Sequence, residues 1–401
     1  MIKLKDFFLF ISLTIPKAGI KISGFPLYLS LLSSVYFFIR GIGSITKRPR
    51  EFLFLIVPIL LLVTTFLLSK IVYNDEGKLI ESDISKSDLL AYLSSYFAFV
   101  CFYGVVTIRN AEKWKNYIIY VFYIIVIYAF IQKIFGDYQV IIPGITANFQ
   151  DALTPGFLQE KNNMIWSIGY LKATSTYQNG NVFGVNLLLI GFAVIALYQA
   201  RGKSYILPLS LLALAVLLTA SASVYFGLII AVLYMLVTGK NRTVLVSTLF
   251  IMIVALVIIG LTDNIISHMI QERLFNRDLS DAGGRSEKIM EYVNDVSEKP
   301  YILFVGLLFS NSSFSQVYEI LPLALLQIFG LPMFIIWLSF FYCKIKPLLK
   351  TPYVLPFIAY FSASISDGAF WLPPTATNLC IVLGLCTLWK NTQSKVIKVE
   401  G

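Results

Sequence analysis

Between Asp263 and Tyr318 the chain sets Arg273, Arg277, Arg285, Lys288 and Lys299 among eight acids, together with its only histidine, His268. Arginine's planar fork suits bidentate contact with phosphate, whereas a lysine ammonium is closer to a point charge. Glu319 follows directly, at the start of an apolar run. Partial burial there would raise its carboxyl pKa and suit it to act as a general base near neutrality. The plainer role for Glu319 is a helix-start acid favoured by the helix dipole, and His268 is the rival base. Cations for an anionic group and a base for a proton are the ingredients of group transfer, provided that the fold brings them together.

The elements that must do so are apolar. Of 401 residues, 57% are hydrophobic and 13% charged, and the mean hydropathy is +0.77. A water-soluble core cannot absorb that composition, so the chain reads as an all-α polytopic membrane protein. A helix needs roughly 20 apolar residues to cross the hydrocarbon. Cutting the sequence at its charge clusters gives twelve spans, near 5–22, 24–40, 51–69, 88–108, 116–134, 182–199, 204–220, 222–238, 243–262, 320–342, 352–367 and 373–389. The first has a short apolar core, Phe7 to Ile15, behind Lys3 and Lys5, which also fits a signal peptide. The Pro16-Lys17-Ala18-Gly19 that follows is a poor cleavage site.

Basic residues orient the spans, because short loops rich in Lys and Arg stay in the cytoplasm. Alternate loops and both termini hold 19 of the 32 basic residues and four acids, Asp6, Glu51, Glu112 and Glu400. Both termini are therefore expected in the cytoplasm. The long segments 70–87, 135–181 and 263–318 then face outward. This asymmetry accounts for the overall charge of +10 and removes it as a sign of nucleic-acid binding. Cys101, Cys380 and Cys386 fall in spans and Cys343 at an inward end, so neither a disulfide framework nor a metal cluster is suggested.

The whole chain, 1–401, reads as one transmembrane domain, with an outer loop at 135–181 and a larger one at 263–318. In the larger loop, Ile265, Ile266, Met269, Ile270 and Leu274 recur at helical spacing, as do Ile289, Val293 and Val296. Asp281-Ala282-Gly283-Gly284 separates them. This predicts two amphipathic helices, with Arg285 in the first turn of the second. Prolines at 58, 208, 322, 332 and 356 lie inside spans, where they kink helices and free carbonyls that need partners within the bundle.

Three patches carry a family resemblance. Lys172-Ala-Thr-Ser-Thr-Tyr-Gln-Asn-Gly-Asn-Val-Phe-Gly184 resembles the basic-Ala-x-Gly-Thr-aromatic…Asn-x-aromatic-Gly pattern of Wzy-type O-antigen polymerases and of the related O-antigen ligases. Gly284-Arg285, then Pro300 and Gly306, is similar to the Gly-Arg…Pro…Gly-x-Gly stretch of that superfamily's large outer loop, with one glycine fewer. Glu319 to Gly330 looks like the segment opening the next span, where an acid or histidine stands eleven residues before a glycine. The ligases' histidine is absent there. Thr219-Ala-Ser-Ala222 also departs from the Thr-x-Ser-Arg often found between the seventh and eighth spans.

The resemblance implies an enzyme of the bacterial inner membrane that joins saccharide units carried on undecaprenyl diphosphate, building O-antigen or a related surface polysaccharide on the periplasmic face. It implies no cofactor and no metal, and it suggests a chain-length regulator protein as partner. Lys172 and Arg285, with Arg273 or Arg277, would hold the departing diphosphate, and Glu319 would take the proton. Tyr177, Asn181 and Asp367 would meet substrate, Asp367 beside the aromatic turn Phe370-Trp371. A metal-binding acid pair at Asp75 and Glu76 is the weaker alternative for that chemistry. An O-antigen ligase and a lipid-linked oligosaccharide flippase remain open beside the polymerase.

Overall fold

A computed structural model describes residues 3–22, 25–74, 86–108, 111–159, 163–238, 246, 267–268, 271, 285–309, 320–365 and 373–400. The chain is an all-α membrane protein. Among the described residues four helices are long and apolar enough to cross a bilayer: Pro49–Ile71, Glu112–Phe135, Gly180–Ala200 and Leu321–Leu348. A fifth span forms if Leu89–Tyr96 and Phe99–Val106, bent by 47° at their junction, count as one. Leu29–Ile45, Ile206–Leu218 and Ala222–Thr238 are shorter apolar helices. The span expected at 243–262 lies outside the described residues, apart from Val246.

The amino-terminal expectation is corrected. Residues 5–22 do not form one helix. Helix α1 (Leu4–Thr14) stops because Pro16 disfavours helical backbone at Ile15, which sits at φ −132°, ψ 60°. Strands β1 (Gly19–Ile22) and β2 (Phe25–Tyr28) then pair antiparallel, Gly19 opposite Tyr28. The hairpin docks on the segment 135–159 through Gly19 N–H to the Gly144 carbonyl at 2.9 Å and Lys21 Nζ to Asp151 Oδ1 at 2.6 Å. Eleven helical residues extend about 16 Å, half the hydrocarbon thickness. Helix α2 (Leu29–Ile45) completes that pair.

Helices α3 (Pro49–Asn74), α4 (Lys86–Tyr96), α5 (Phe99–Val106) and α6 (Ala111–Phe135) follow. After the short α7 (Phe149–Leu153) and strands β3 (Met164–Ile165) and β4 (Tyr170–Leu171), the chain enters α8 (Gly180–Ala200). Every residue from Val182 to Leu197 is buried, so α8 is the central post of the bundle. Around it pack α6, α9 (Ile206–Leu218), α10 (Ala222–Thr238), α14 (Leu355–Ser364) and α15 (Thr375–Glu400). By contrast α3 leaves Leu53, Leu60, Val63, Leu67 and Ile71 exposed, an apolar surface suited to acyl chains.

A buried polar ladder crosses this core. Ser12 Oγ donates to Asn378 Oδ1 at 2.9 Å, and Asn378 Nδ2 donates to Asn186 Oδ1 at 2.8 Å. Asn186 Nδ2 in turn reaches the Val182 carbonyl at 2.8 Å and Thr375 Oγ1 at 3.2 Å. The ladder ties α1, α15 and α8 together in one register, since polar atoms in hydrocarbon must find partners.

Helices α11 (Arg285–Glu298), α12 (Ile302–Val305) and α13 (Leu321–Ile345) form the remaining unit. The second amphipathic helix expected between 263 and 318 is thus present, although its packed face differs from the expected one. Tyr292 and Val296 pack on Ile302 and Leu307, whereas Ile289 and Val293 are exposed. The phenol of Tyr292 is pushed up to about 12 by burial. The first amphipathic helix, 265–274, lies outside the description except for Ser267, His268 and Gln271.

Candidate functional site: the Lys172 loop and a glycine contact

The ladder of Met164 with Leu171 and Ile165 with Tyr170 brings Asn163 opposite Lys172, whose N–H donates to the Asn163 carbonyl at 2.7 Å. Asn163 is fully buried, and its side chain holds the next turn of chain. Its Oδ1 accepts from the Gly180 N–H at 2.8 Å and its Nδ2 donates to the Gln178 carbonyl at 3.0 Å. Gly180 is small because the Lys172 stem crosses it: a Cβ there would lie 2.6 Å from the Lys172 Cβ. Asn179 caps α8, accepting from the N–H groups of Asn181 and Val182 at 3.0 Å each. The result is a buried lysine whose Nζ sits 3.2 Å from Asn181 Oδ1 at the start of the central helix.

Side chains from the bundle hold the rest of the loop. Gln132 on α6 accepts from the N–H groups of Thr174 and Ser175 at 3.1 and 2.9 Å, and donates to Thr174 Oγ1 at 3.0 Å. Ser175 Oγ donates to the Ile125 carbonyl at 2.8 Å, and Thr176 Oγ1 to the Thr14 carbonyl at the end of α1. The Leu218 carbonyl accepts from both the Ala173 N–H and the Tyr170 hydroxyl, at 2.9 Å each. That contact places the Thr219–Ala222 turn against the Lys172 segment. Lys133, on the last turn of α6, donates to the Leu171 carbonyl, pairs with Asp137 at 2.8 Å and lies 4.6 Å from the centre of the Tyr170 ring. Burial raises the Asp137 carboxyl above the usual carboxylate range, against the opposing pull of Lys133.

Two residues of this loop are left-handed without being glycine, Ser175 at φ 46° and Gln178 at φ 61°. Such backbone costs on the order of 1–3 kcal/mol per residue and persists where the surroundings over-determine it. Gln178 is 3% exposed, and among the described residues neither Oε1 nor Nε2 of its amide meets a hydrogen-bond partner. A buried amide left unmet costs about 1–3 kcal/mol.

Of the residues singled out by sequence, the structure brings Lys172 and Asn181 together. Tyr177, expected at the substrate, is instead fully buried. Its hydroxyl donates to the Leu13 carbonyl at 2.5 Å and its ring packs near Phe183, so it fastens the loop to α1 and offers nothing to a ligand. Arg285 is the first residue of α11, as the break at Asp281–Gly284 predicts, and its side chain lies outside the description. His268 is exposed in a helical turn. Glu319, Arg273, Arg277, Asp367, Asp75 and Glu76 lie outside the described residues.

The second and third sequence patches do meet, through backbone. Helix α13 breaks at Gly330, φ 75° and ψ 172°, two residues before Pro332. A proline has no N–H to give the carbonyl four residues earlier, here that of Ile328, and the break frees that of Gln327. Leu307 and Leu308 supply the missing donors, at 2.7 Å to Gln327 and 3.0 Å to Ile328. Gly306, φ 69°, makes the approach feasible: a Cβ on it would lie 2.6 Å from the Ile328 carbonyl oxygen, and one on Gly330 would strike the Phe304 carbonyl oxygen more closely still. The proline's freed carbonyl, expected from sequence to need a partner within the bundle, finds one in Leu308, just after α12.

No family model, curated protein or solved structure matches this chain.

Proposed function

We propose that the chain is a bacterial inner-membrane polysaccharide polymerase. It transfers a growing saccharide from undecaprenyl diphosphate to a sugar hydroxyl of a second lipid-linked repeat unit on the periplasmic face. The observation that carries this reading is Lys172: a buried ammonium on a strained loop at the start of the central helix, 3.2 Å from the Asn181 amide oxygen. Away from water, a charge developing beside a fixed donor is stabilised far more than in solvent, at about 3–4 kcal/mol per donor. In this reaction the charge develops on the departing diphosphate, so Lys172 receives it. Arg285, with Arg273 or Arg277, completes the cationic set, and Glu319 takes the proton of the attacking hydroxyl. The unmet amide of Gln178 supplies one donor and one acceptor, the pair that a sugar hydroxyl uses. The contact of Gly306 with Gly330 supports the reading further, because it ties the chain that carries Arg285 to the helix that follows Glu319.

The test is a gel of surface polysaccharide from cells that lack the gene and from cells that regain it. Polymerase activity predicts that the ladder collapses to core bearing one repeat unit and returns with the wild-type gene but not with Lys172→Ala. Bare core would indicate a ligase or a flippase, and an unchanged ladder would refute the assignment.

A further inference from the structure

At the opposite end of the bundle, the α8–α9 turn, the end of α10 and the connection from α13 to α14 enclose a cavity of about 860 Å³. The exposed part of its lining carries Lys203 and Lys350 with the hydroxyl of Ser204, and its buried part is apolar, formed by Met235 and Leu355. Among the described residues that line it none is acidic. Its volume is in the range of ligand sites, about 300–1,000 Å³.

Positive charge on this side follows from orientation alone, but a hollow does not. A surface that needed only charge would spread its lysines over filled helix ends. Here two lysines from segments about 150 residues apart in sequence line one space that combines cations, hydroxyl donors and an apolar buried part. Free phosphate would use the exposed part and leave the buried part dry, whereas a phosphate joined to an acyl chain would use both. Lys203 and Lys350 are exposed at the ends of apolar helices, where lysine stems lie along apolar surface and their ammoniums reach the interface.

We propose that this cavity binds an anionic glycerophospholipid of the inner leaflet, with its phosphate between Lys203 and Lys350 and the first part of an acyl chain over Met235 and Leu355. The site is separate from the Lys172 loop and holds whether or not the chain polymerises sugar.

The experiment is equilibrium binding of fluorescent phosphatidylglycerol to the purified full-length protein, with phosphatidylcholine as reference lipid. Two lysines at about 1 kcal/mol each, with 1.4 kcal/mol per factor of ten, predict a loss of about 30-fold in Lys203→Ala/Lys350→Ala. Phosphatidylcholine binding should be unchanged in that variant. Lys203→Arg/Lys350→Arg should keep binding, and Lys3→Ala/Lys5→Ala, which removes equal charge outside the cavity, should bind as wild type does. Equal losses in the two alanine pairs, or none in either, would overturn the site. Displacement of the lipid by soluble glycerol phosphate at matched concentration would overturn the lipid as occupant and leave a site for a free phosphate ester.

Discussion

The Lys172 loop and the Gly306–Gly330 contact are both places where extended chain is pressed into a helical bundle, and they are held by opposite means. Around Lys172 the holding is done by side chains: Asn163 and Gln132 meet backbone groups of the loop, while the loop's own Ser175 and Asn179 meet backbone of α6 and α8. At Gly306 and Gly330 the backbones themselves meet, and what matters is that side chains are absent. The first arrangement fixes individual polar atoms in place, as a binding site requires. The second fixes the position of a whole segment relative to a broken helix.

That contrast can be broken most severely at the glycines. Gly330→Ala demands both a left-handed alanine and a Cβ inside carbonyl contact distance, so we expect a loss of about 3–5 kcal/mol and little folded protein, read as thermal stability in detergent. Gly306→Ala should follow closely. On the side-chain half, Asn163→Ala leaves the Gly180 N–H and the Gln178 carbonyl without their partner, and about 2–4 kcal/mol should be lost by the same measurement. Asn186→Leu, which cuts the intramembrane ladder, should cost about 1–2 kcal/mol, because single hydrogen bonds in membrane bundles contribute about 0.6 and at most about 1.7 kcal/mol. Gln178→Leu sharpens the comparison from the other side. It removes an amide that nothing meets among the described residues, so stability should hold or rise by up to about 1 kcal/mol while polymer formation falls at least about tenfold. A Gln178→Leu protein that is unstable, or that polymerises normally, would make the residue part of the scaffold.

The sequence makes the side-chain half partly visible. An apolar chain with Lys, three Thr or Ser, Gln and two Asn packed into 172–181 advertises a polar site, and Lys172 with Asn181 follows from it. Tyr177 fails the same reasoning, since an aromatic within a polar stretch reads equally as ligand contact or as core, and the end of α1 that claims its hydroxyl is 164 residues away. Asn163 and Gln132 are hidden for a similar reason. Their function is to hold backbone of a distant segment, and nothing in their immediate neighbours says so. Gln178 is legible only as one amide among several until burial and lack of partners single it out. In the glycine half, Pro332 announces a kink but not which chain fills it. The α8 and α10 regions follow closely from apolar run length, whereas the helix expected over 24–40 is displaced to 29–45 because residues 25–28 pair as β2. The first span fails because a run of apolar residues does not distinguish a membrane helix from a short helix followed by a hairpin, and Pro16 and Gly19 decide between them.

The most direct measurement gives purified protein in liposomes an undecaprenyl-diphosphate-linked repeat unit and follows product length for wild type and for Lys172→Ala, with the thermal stability of both recorded. The wild type should build a ladder, and Lys172→Ala, folded as the wild type is, should lose about 100-fold or more in rate, the usual consequence of removing one donor to a developing anion. An undiminished ladder from Lys172→Ala, or movement of the lipid-linked sugar across the bilayer without lengthening, would contradict the assignment.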